Sequence, residues 1–265
     1  MILASASSLT FALACGTSAA YVISAYPLAR SIKARPSTVF WLAWCLHGLL
    51  LTWRLWGDAR HFGFAPALSM TLWLAGLVYA FETYFYPQIH VPALLPVVGS
   101  AVVLLAVWYP GAAVTASAWL PLHGALGMAS YGLFAVAVMH AGWMSRSDTQ
   151  IRRATTALPH LPLLTLERLI FRFVGVGFVL LSATLLAGFF FGTALYGSRH
   201  ALKFDHKTTF SVLSWLTFAV LMVGRMRFGW RGKRFIGMLY VGSGLLLLAY
   251  VGSHFVHEVM WVPTP

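Results

Sequence analysis

The sequence predicts an all-α polytopic membrane protein, a helical bundle of about eight transmembrane helices with both termini outside. Three observations support this fold class. Hydrophobic residues make up 60% of the 265 residues and charged residues 9%, so polar surface is too scarce to cover a water-soluble globule. Apolar runs of about 20 residues, enough to cross a hydrocarbon core, recur along the chain. Lys and Arg number 18 against six Asp and Glu, and in a membrane chain such an excess marks cytoplasmic loops rather than nucleic-acid binding.

Eight apolar runs of suitable length are the predicted spans. They cover about residues 6–27, 37–56, 65–84, 92–109, 119–143, 168–195, 209–224 and 235–260. The fourth run is the weakest because prolines, including Pro92 and Pro96, crowd its ends. The first run is expected to be a retained span rather than a signal peptide, because no Lys or Arg precedes Arg30 and the run is too long for a signal.

The basic residues predict the orientation of these spans. Thirteen of them follow spans 1, 5 and 7, and five lie in connections on the opposite side. The larger group is Arg30, Lys33, Arg35, Arg146, Arg152, Arg153, Arg168, Arg172, Arg225, Arg227, Arg231, Lys233 and Arg234, and the smaller group is Arg54, Arg60, Arg199, Lys203 and Lys207. The positive-inside rule places the larger group in the cytoplasm and both termini outside.

The connections between spans are too short to hold a soluble domain. Residues 1–265 are therefore predicted to form a single transmembrane domain. The longest connection, from Ser145 to about Leu163, is predicted to be a basic cytoplasmic loop that leads into the sixth helix. Gly188 and Gly192 have the GxxxG spacing that favours close approach of membrane helices.

Motifs for hydrolytic or nucleotide-driven chemistry are missing from the sequence, which has no HExxH, DxD, P-loop or GxSxG. We therefore predict that the protein is not an enzyme.

Cys15 and Cys45 match neither a metal-binding nor a haem-attachment spacing, and we expect both to be small buried hydrophobic residues. Ten histidines against six carboxylates leave imidazole as the main polar chemistry, and imidazole is the usual axial ligand of haem iron.

Four histidines are the candidates for chemistry. His47 lies near the middle of span 2, where it either binds a ligand or forms a helix-to-helix hydrogen bond. His123 opens span 5 and His206 precedes span 7, and because both helices run inward, topology alone places the two imidazoles in one external layer. His254 lies near the outer end of span 8. For the last three, an ordinary interfacial histidine is the alternative, and His140 is expected at headgroup level.

Several segments of the chain share a pattern with one family of membrane proteins. They are HKTTFSVLSWLTFAVLMVGRMRFGWRGKR from His206, LLLLAYVGSHFVHEV near the C-terminal end, Leu122 to Gly142, Leu161 to Gly192, and WCLHGLLL around His47. Together they resemble the cytochrome c assembly protein family, which includes CcsA-like and CcmC-like proteins. The resemblance covers about residues 40–260 and looks closest to the YpjD branch, related to HemX-type proteins.

The resemblance implies an eight-span bundle that handles haem near the external face. His123 matches the external histidine that begins a family helix, with Tyr131 eight residues on and on the same helical face. His206 sits at the family's second external histidine region, and His47 matches a membrane-embedded histidine. By this analogy His123 and His206 are ligands of haem iron, His47 and His254 are further cofactor-binding residues, and the cofactor is haem b.

The same resemblance implies partners and a location. The partners are the lipid bilayer and other cytochrome c maturation proteins or an apocytochrome, and the location is the bacterial inner membrane. The chain departs from the family in lacking the tryptophan-rich WWD segment of an external loop. Trp119 is the only tryptophan of the loop before His123, and none occurs between Gly197 and His206. The resemblance therefore implies haem binding without extending to haem delivery.

The predicted function is that of a haem-associated inner-membrane protein of cytochrome c assembly or maturation. Apolar helix faces would hold the porphyrin, and external cations would meet its propionates. These cations are Arg54, Arg60, Arg199, Lys203 and Lys207. One alternative is a transporter or exporter of an ion or small solute that uses His47 and Glu82 as a relay. Another is a regulatory membrane subunit of tetrapyrrole metabolism that docks a soluble partner through the basic loop from Arg146 to Arg168.

Overall fold

Each predicted span corresponds to a helix in the structure, a computed structural model that describes residues 8–30, 37–56, 61–86, 93–113, 120–152, 163–190 and 206–256. The helices are α1 Ser8–Arg30, α2 Thr38–Trp56, α3 Phe64–Phe85, α4 Leu94–Trp108, α5 Leu120–Arg152, α6 Leu163–Phe190, α7 His206–Phe228 and α8 Gly232–Leu247. A π-helical turn, Leu248–Gly252, and the short α9, Ser253–Phe255, continue α8. Two short strands, β1 His61–Phe62 and β2 Ala112–Ala113, pair antiparallel.

Helix length and hydropathy confirm a polytopic helical membrane protein. Within the described residues, six helices are long and apolar enough to cross a membrane. They comprise α1, α3, α5, α6, α7 and the continuous helix from Gly232 to Gly252. The fourth predicted span is a helix of 15 residues, about 22 Å long at the α-helical rise and therefore shorter than the hydrocarbon core.

The chain divides into two compact units. Unit 1 comprises Met1–Thr115 with His254–Pro265, and unit 2 comprises Ala116–Ser253. In unit 1, α1 packs against α2 and α4, and α3 packs against the same two helices. In unit 2, α5 packs against α6, α6 against α7 and α7 against α8, while α8 also contacts α5. The single domain predicted for residues 1–265 stays a prediction.

Two tryptophans clamp α2 to α3 in unit 1. The rings of Trp44 and Trp73 are stacked with centroids 4.9 Å apart, and each indole Nε1 donates a hydrogen bond of 3.0 Å to the backbone oxygen of the other residue. Glycines lie against both rings, because a Cβ on Gly48 would stand 2.8 Å from Trp73 and a Cβ on Gly76 would stand 2.7 Å from Trp44. This reciprocal clamp holds the two helices at one rotation and one depth.

An aromatic layer joins all four long helices of unit 2. Phe134 of α5 and Phe218 of α7 are stacked with centroids 4.0 Å apart. Gly177 of α6 lies against the Phe134 ring and Gly242 of α8 against the Phe218 ring. Ser214, also on α7, donates a hydrogen bond of 2.8 Å to the Gly242 oxygen. Because glycine has no side chain, the backbones of α6 and α8 can approach the stacked rings closely.

Two expectations from the sequence are wrong. The connection predicted from Ser145 to about Leu163 is helical as far as Arg152, so its first part continues α5, whereas α6 begins at Leu163 as expected. Cys15 and Cys45 are exposed rather than buried. His140 is fully buried within unit 2, and its expected depth at headgroup level stays a prediction.

We predict that Gly76→Ala destabilises the protein by about 1–3 kcal/mol, because the added methyl group forces apart the clamp of Trp44 and Trp73. Thermal unfolding of the detergent-purified protein measures the loss. Gly16→Ala in α1 is the matched control, since nothing lies within 4 Å of the added Cβ there. Equal stability of the two variants would show that the clamp does not hold α2 against α3.

Candidate functional site

Two predicted ligands lie at one end of unit 2, which we call the histidine end. His123, near the start of α5, lies beside the last turns of α6, and a Cβ on Gly188 would stand 3.6 Å from its Cε1. His206 is the first residue of α7. The next residue, Lys207, holds its Nζ 4.9 Å from the ring centroid of Tyr250 in the π-helical turn. The starts of α5 and α7 therefore meet the ends of α6 and α8.

The imidazoles of the histidine end differ in accessibility. His123 is half-buried and His206 is exposed. The Lys207 ammonium is close enough to His123 to act on it electrostatically. Two turns below His123, the Tyr131 hydroxyl donates a hydrogen bond of 2.6 Å to the Leu246 oxygen. That bond ties α5 to α8 beneath the histidine end, so Tyr131 supports the site rather than lining it.

Several predicted site residues lie wholly or partly outside the described residues. The backbone of His254 forms part of α9, while its side chain is outside the description. Arg60, Arg199 and Lys203, predicted as propionate partners, are outside it as well.

His47 joins three helices of unit 1. Its side chain is fully buried. The ring Nδ1 lies 3.1 Å from the Tyr21 hydroxyl of α1, and the ring Nε2 lies 2.7 Å from the Ser69 hydroxyl of α3. A neutral imidazole has one donor and one acceptor nitrogen, and both are used here. The structure thus shows the helix-to-helix hydrogen bond that the sequence left open, and iron at His47 would replace one of these bonds.

A small cavity adjoins Ser69 in unit 1. It has a volume of about 20 Å³, enough for one water-sized group. Arg54 and His61 line it together with apolar side chains of α2 and α3. The Arg54 guanidinium donates a hydrogen bond of 2.5 Å to the Ala106 oxygen of α4. The cation predicted to meet a propionate therefore fastens α2 to α4.

Buried polar residues also occur away from both sites. His140 donates from Nδ1 to the Val136 oxygen at 2.9 Å, with the rings of Trp143 and Phe173 edge-on to it. Glu82 is buried in α3. Among the described side chains, no three of the His, Cys, Asp and Glu type converge as a metal site. In this arrangement, a metal ion could therefore be bound by one imidazole or by a pair of imidazoles.

Sequence reasoning missed two polar partners, Tyr21 and Ser69. Hydroxyl residues are common in membrane helices, and nothing in their spacing relative to His47 sets them apart. A buried imidazole nevertheless requires hydrogen-bond partners from neighbouring helices, and that requirement was the available signal.

Comparison of the sequence with known proteins gives a family match and several relatives. The family described as Cytochrome C assembly protein matches residues 34–261. The inner membrane protein YpjD of Escherichia coli K12 is 29% identical over 177 residues, which cover 63% of this chain and 65% of that protein. The cytochrome c biogenesis protein CcsA of Synechococcus elongatus is 33% identical over 101 residues, or 37% of this chain and 30% of that protein. The match thus spans less than two thirds of YpjD, and no solved structure matches.

A double-mutant cycle tests the structural role of His47. We predict that Tyr21→Phe costs about 1–3 kcal/mol of stability, because it leaves a buried imidazole nitrogen without its partner. In a His47→Leu background the same substitution should cost much less, since the nitrogen is gone. Unfolding of the four purified proteins in one detergent measures the coupling. An equal cost of Tyr21→Phe in both backgrounds would contradict the hydrogen bond.

Proposed function

Because the chain belongs to the cytochrome c assembly protein family, we propose that it binds haem at the histidine end of unit 2. His123 and His206 are the proposed iron ligands. The observation that carries the proposal is that these imidazoles begin two helices at the same end of one four-helix unit. His47 is left out of the ligand set because both of its ring nitrogens already bind hydroxyl groups.

The residues of the histidine end fit the chemistry of haem. Imidazole nitrogens are suitable axial ligands for its iron. Large apolar side chains stand exposed at the start of α5 and the end of α6, where they would cover the porphyrin. They are Leu122, Leu186, Phe189 and Phe190, each more than half exposed. The Lys207 ammonium offers a charge-assisted hydrogen bond to a propionate.

Haem b is the form that the sequence supports, because the chain has no CxxCH segment for covalent attachment. When bound, haem supplies a redox-active iron at the membrane surface. The protein's own part is to hold that iron between imidazoles and to exclude water with its aromatic side chains. A role in binding or assembly rather than catalysis is part of the proposal.

The proposed location is the inner membrane, as the name of the YpjD relative states for that protein. Other cytochrome c maturation proteins or an apocytochrome are the proposed partners, in line with the biogenesis role named for CcsA. The missing tryptophan-rich segment favours haem binding over haem delivery. The transporter alternative draws less support, because the hydrogen bonds of His47 fix it between helices instead of freeing it as a relay.

Hemin titration into the detergent-purified full-length protein tests the proposal. We expect a Soret band of low-spin, bis-imidazole type for the wild type. His123→Gly and His206→Gly should each weaken haem retention by at least about tenfold, since losing even an outer-shell partner of a metal ligand has an effect of this size. Added free imidazole should restore the low-spin band in both variants, which separates a lost ligand from a lost fold.

His61→Ala is the matched control, because it removes a histidine of unit 1 and leaves the histidine end intact. It should bind hemin as the wild type does. A wild type without a Soret band, or glycine variants that retain haem unchanged, would contradict the proposal.

A further inference from the structure

The end of α7, the connection after it and the start of α8 form the most basic stretch of the described chain, residues 225–234. We call it the α7–α8 turn. It reads RMRFGWRGKR and contains Arg225, Arg227, Arg231, Lys233 and Arg234. Both flanking helices, His206–Phe228 and Gly232–Gly252, are candidate spans. A short turn between two consecutive spans has to lie at a membrane surface.

The turn has a defined shape. Trp230 lies over Gly224, where a Cβ would collide with the indole ring. Its backbone N–H donates a hydrogen bond of 3.1 Å to the Gly224 oxygen. Gly229 and Gly232 adopt φ values of +63° and +59°, which glycine accepts most readily. These features fold the turn back onto the end of α7.

One buried ion pair anchors the turn to α6. Arg225 Nη1 lies 2.7 Å from Glu167 Oε1 and donates a hydrogen bond of 3.0 Å to the Trp230 oxygen. The guanidinium also lies over the rings of Phe171 and Phe235, at 5.7 and 6.0 Å from their centroids. Glu167 is paired with Arg225, so its carboxylate holds the turn against α6.

The remaining cations of the turn face outward. Arg227, Arg231, Lys233 and Arg234 are exposed. Arg231 keeps its Nε 4.0 Å from Glu167, with a side chain 65% exposed, and Arg234 lies 5.3 Å over the Trp230 ring. Beside these cations stand two exposed apolar side chains, Met226 at 73% and Phe228 at 72%. Cationic heads and apolar side chains thus share one surface.

We propose that the α7–α8 turn binds the phosphate of an anionic phospholipid of the cytoplasmic leaflet. Guanidinium groups match phosphate oxygens in charge and geometry. Basic residues next to a span are attracted to anionic headgroups, and Met226 and Phe228 would contact the acyl chains. The rigid turn gives these groups a fixed arrangement, which distinguishes a site from a diffuse positive surface. The inference is independent of haem binding.

Lipid retention by the full-length protein tests this site. The delipidated protein is incubated with mixed micelles of phosphatidylglycerol and phosphatidylcholine, and bound lipid is counted by native mass spectrometry. The wild type should retain phosphatidylglycerol selectively. The variant Arg227→Gln/Lys233→Gln/Arg234→Gln, which spares Arg225 and Arg231 at Glu167, should lose about fivefold of this selectivity for each cation removed. Selectivity unchanged in this variant would overturn the proposal.

Two further experiments distinguish a lipid-binding site from a general attraction of anions to positive charge. Arg168→Gln/Arg172→Gln removes two exposed cations of α6 outside the turn and should leave the selectivity as in the wild type. If this control lost as much selectivity per removed charge, the lipid would be attracted to positive charge in general, and the proposed site would be overturned. Inorganic phosphate that displaces phosphatidylglycerol at equal concentration would show a soluble anion as the occupant, and would overturn the lipid assignment. Unfolding of the triple variant in phosphatidylcholine micelles should match the wild type.

Discussion

The cost of placing charge in hydrocarbon governs both the orientation of this chain and its buried contacts. Several buried polar groups have partners on other helices. His47 binds hydroxyl groups of α1 and α3, Arg54 donates to a carbonyl oxygen of α4, and Glu167 pairs with Arg225. The sequence predicts that the remaining charge lies at the membrane surfaces, with more basic residues on one side than on the other.

Unit 2 carries different chemistry at its two ends. Helix α7 begins with His206 and ends within the α7–α8 turn, and its 23 residues span about 35 Å. That length is sufficient to cross a hydrocarbon core of about 30 Å. The histidine end and the basic turn therefore lie at opposite ends of one candidate span. Haem binding is proposed at the histidine end and anionic lipid binding at the α7–α8 turn. The aromatic layer of Phe134 and Phe218 lies between them.

The sequence predicts the helices well because most runs of apolar residues have the length that the membrane requires. The contacts between helices are harder to predict, since a helix that is apolar on all sides gives little indication of which face is buried. Cys15 and Cys45 illustrate this, because their apolar surroundings suggested burial while their helix faces point outward. The pairing of Glu167 with Arg225 joins two helices far apart in sequence, and only the packing of α6 on α7 reveals it.

The candidate site was partly predictable for the same reason. Alternating helix direction places His123 and His206 at one end without any knowledge of packing. The hydroxyl partners of His47, by contrast, depend on helix depth and rotation, which the sequence does not specify. Resemblance to a family added the haem chemistry, which neither composition nor spacing supplies.

The most direct test of this account is the accessibility of single cysteines from the two sides of the membrane. In a background with Cys15→Ala and Cys45→Ala, His206→Cys reports on the histidine end and Lys233→Cys on the α7–α8 turn. A membrane-impermeant maleimide applied to intact spheroplasts should label His206→Cys at once and Lys233→Cys only after permeabilisation. Labelling of both from the same side, or the reverse pattern, would contradict the orientation on which the account rests.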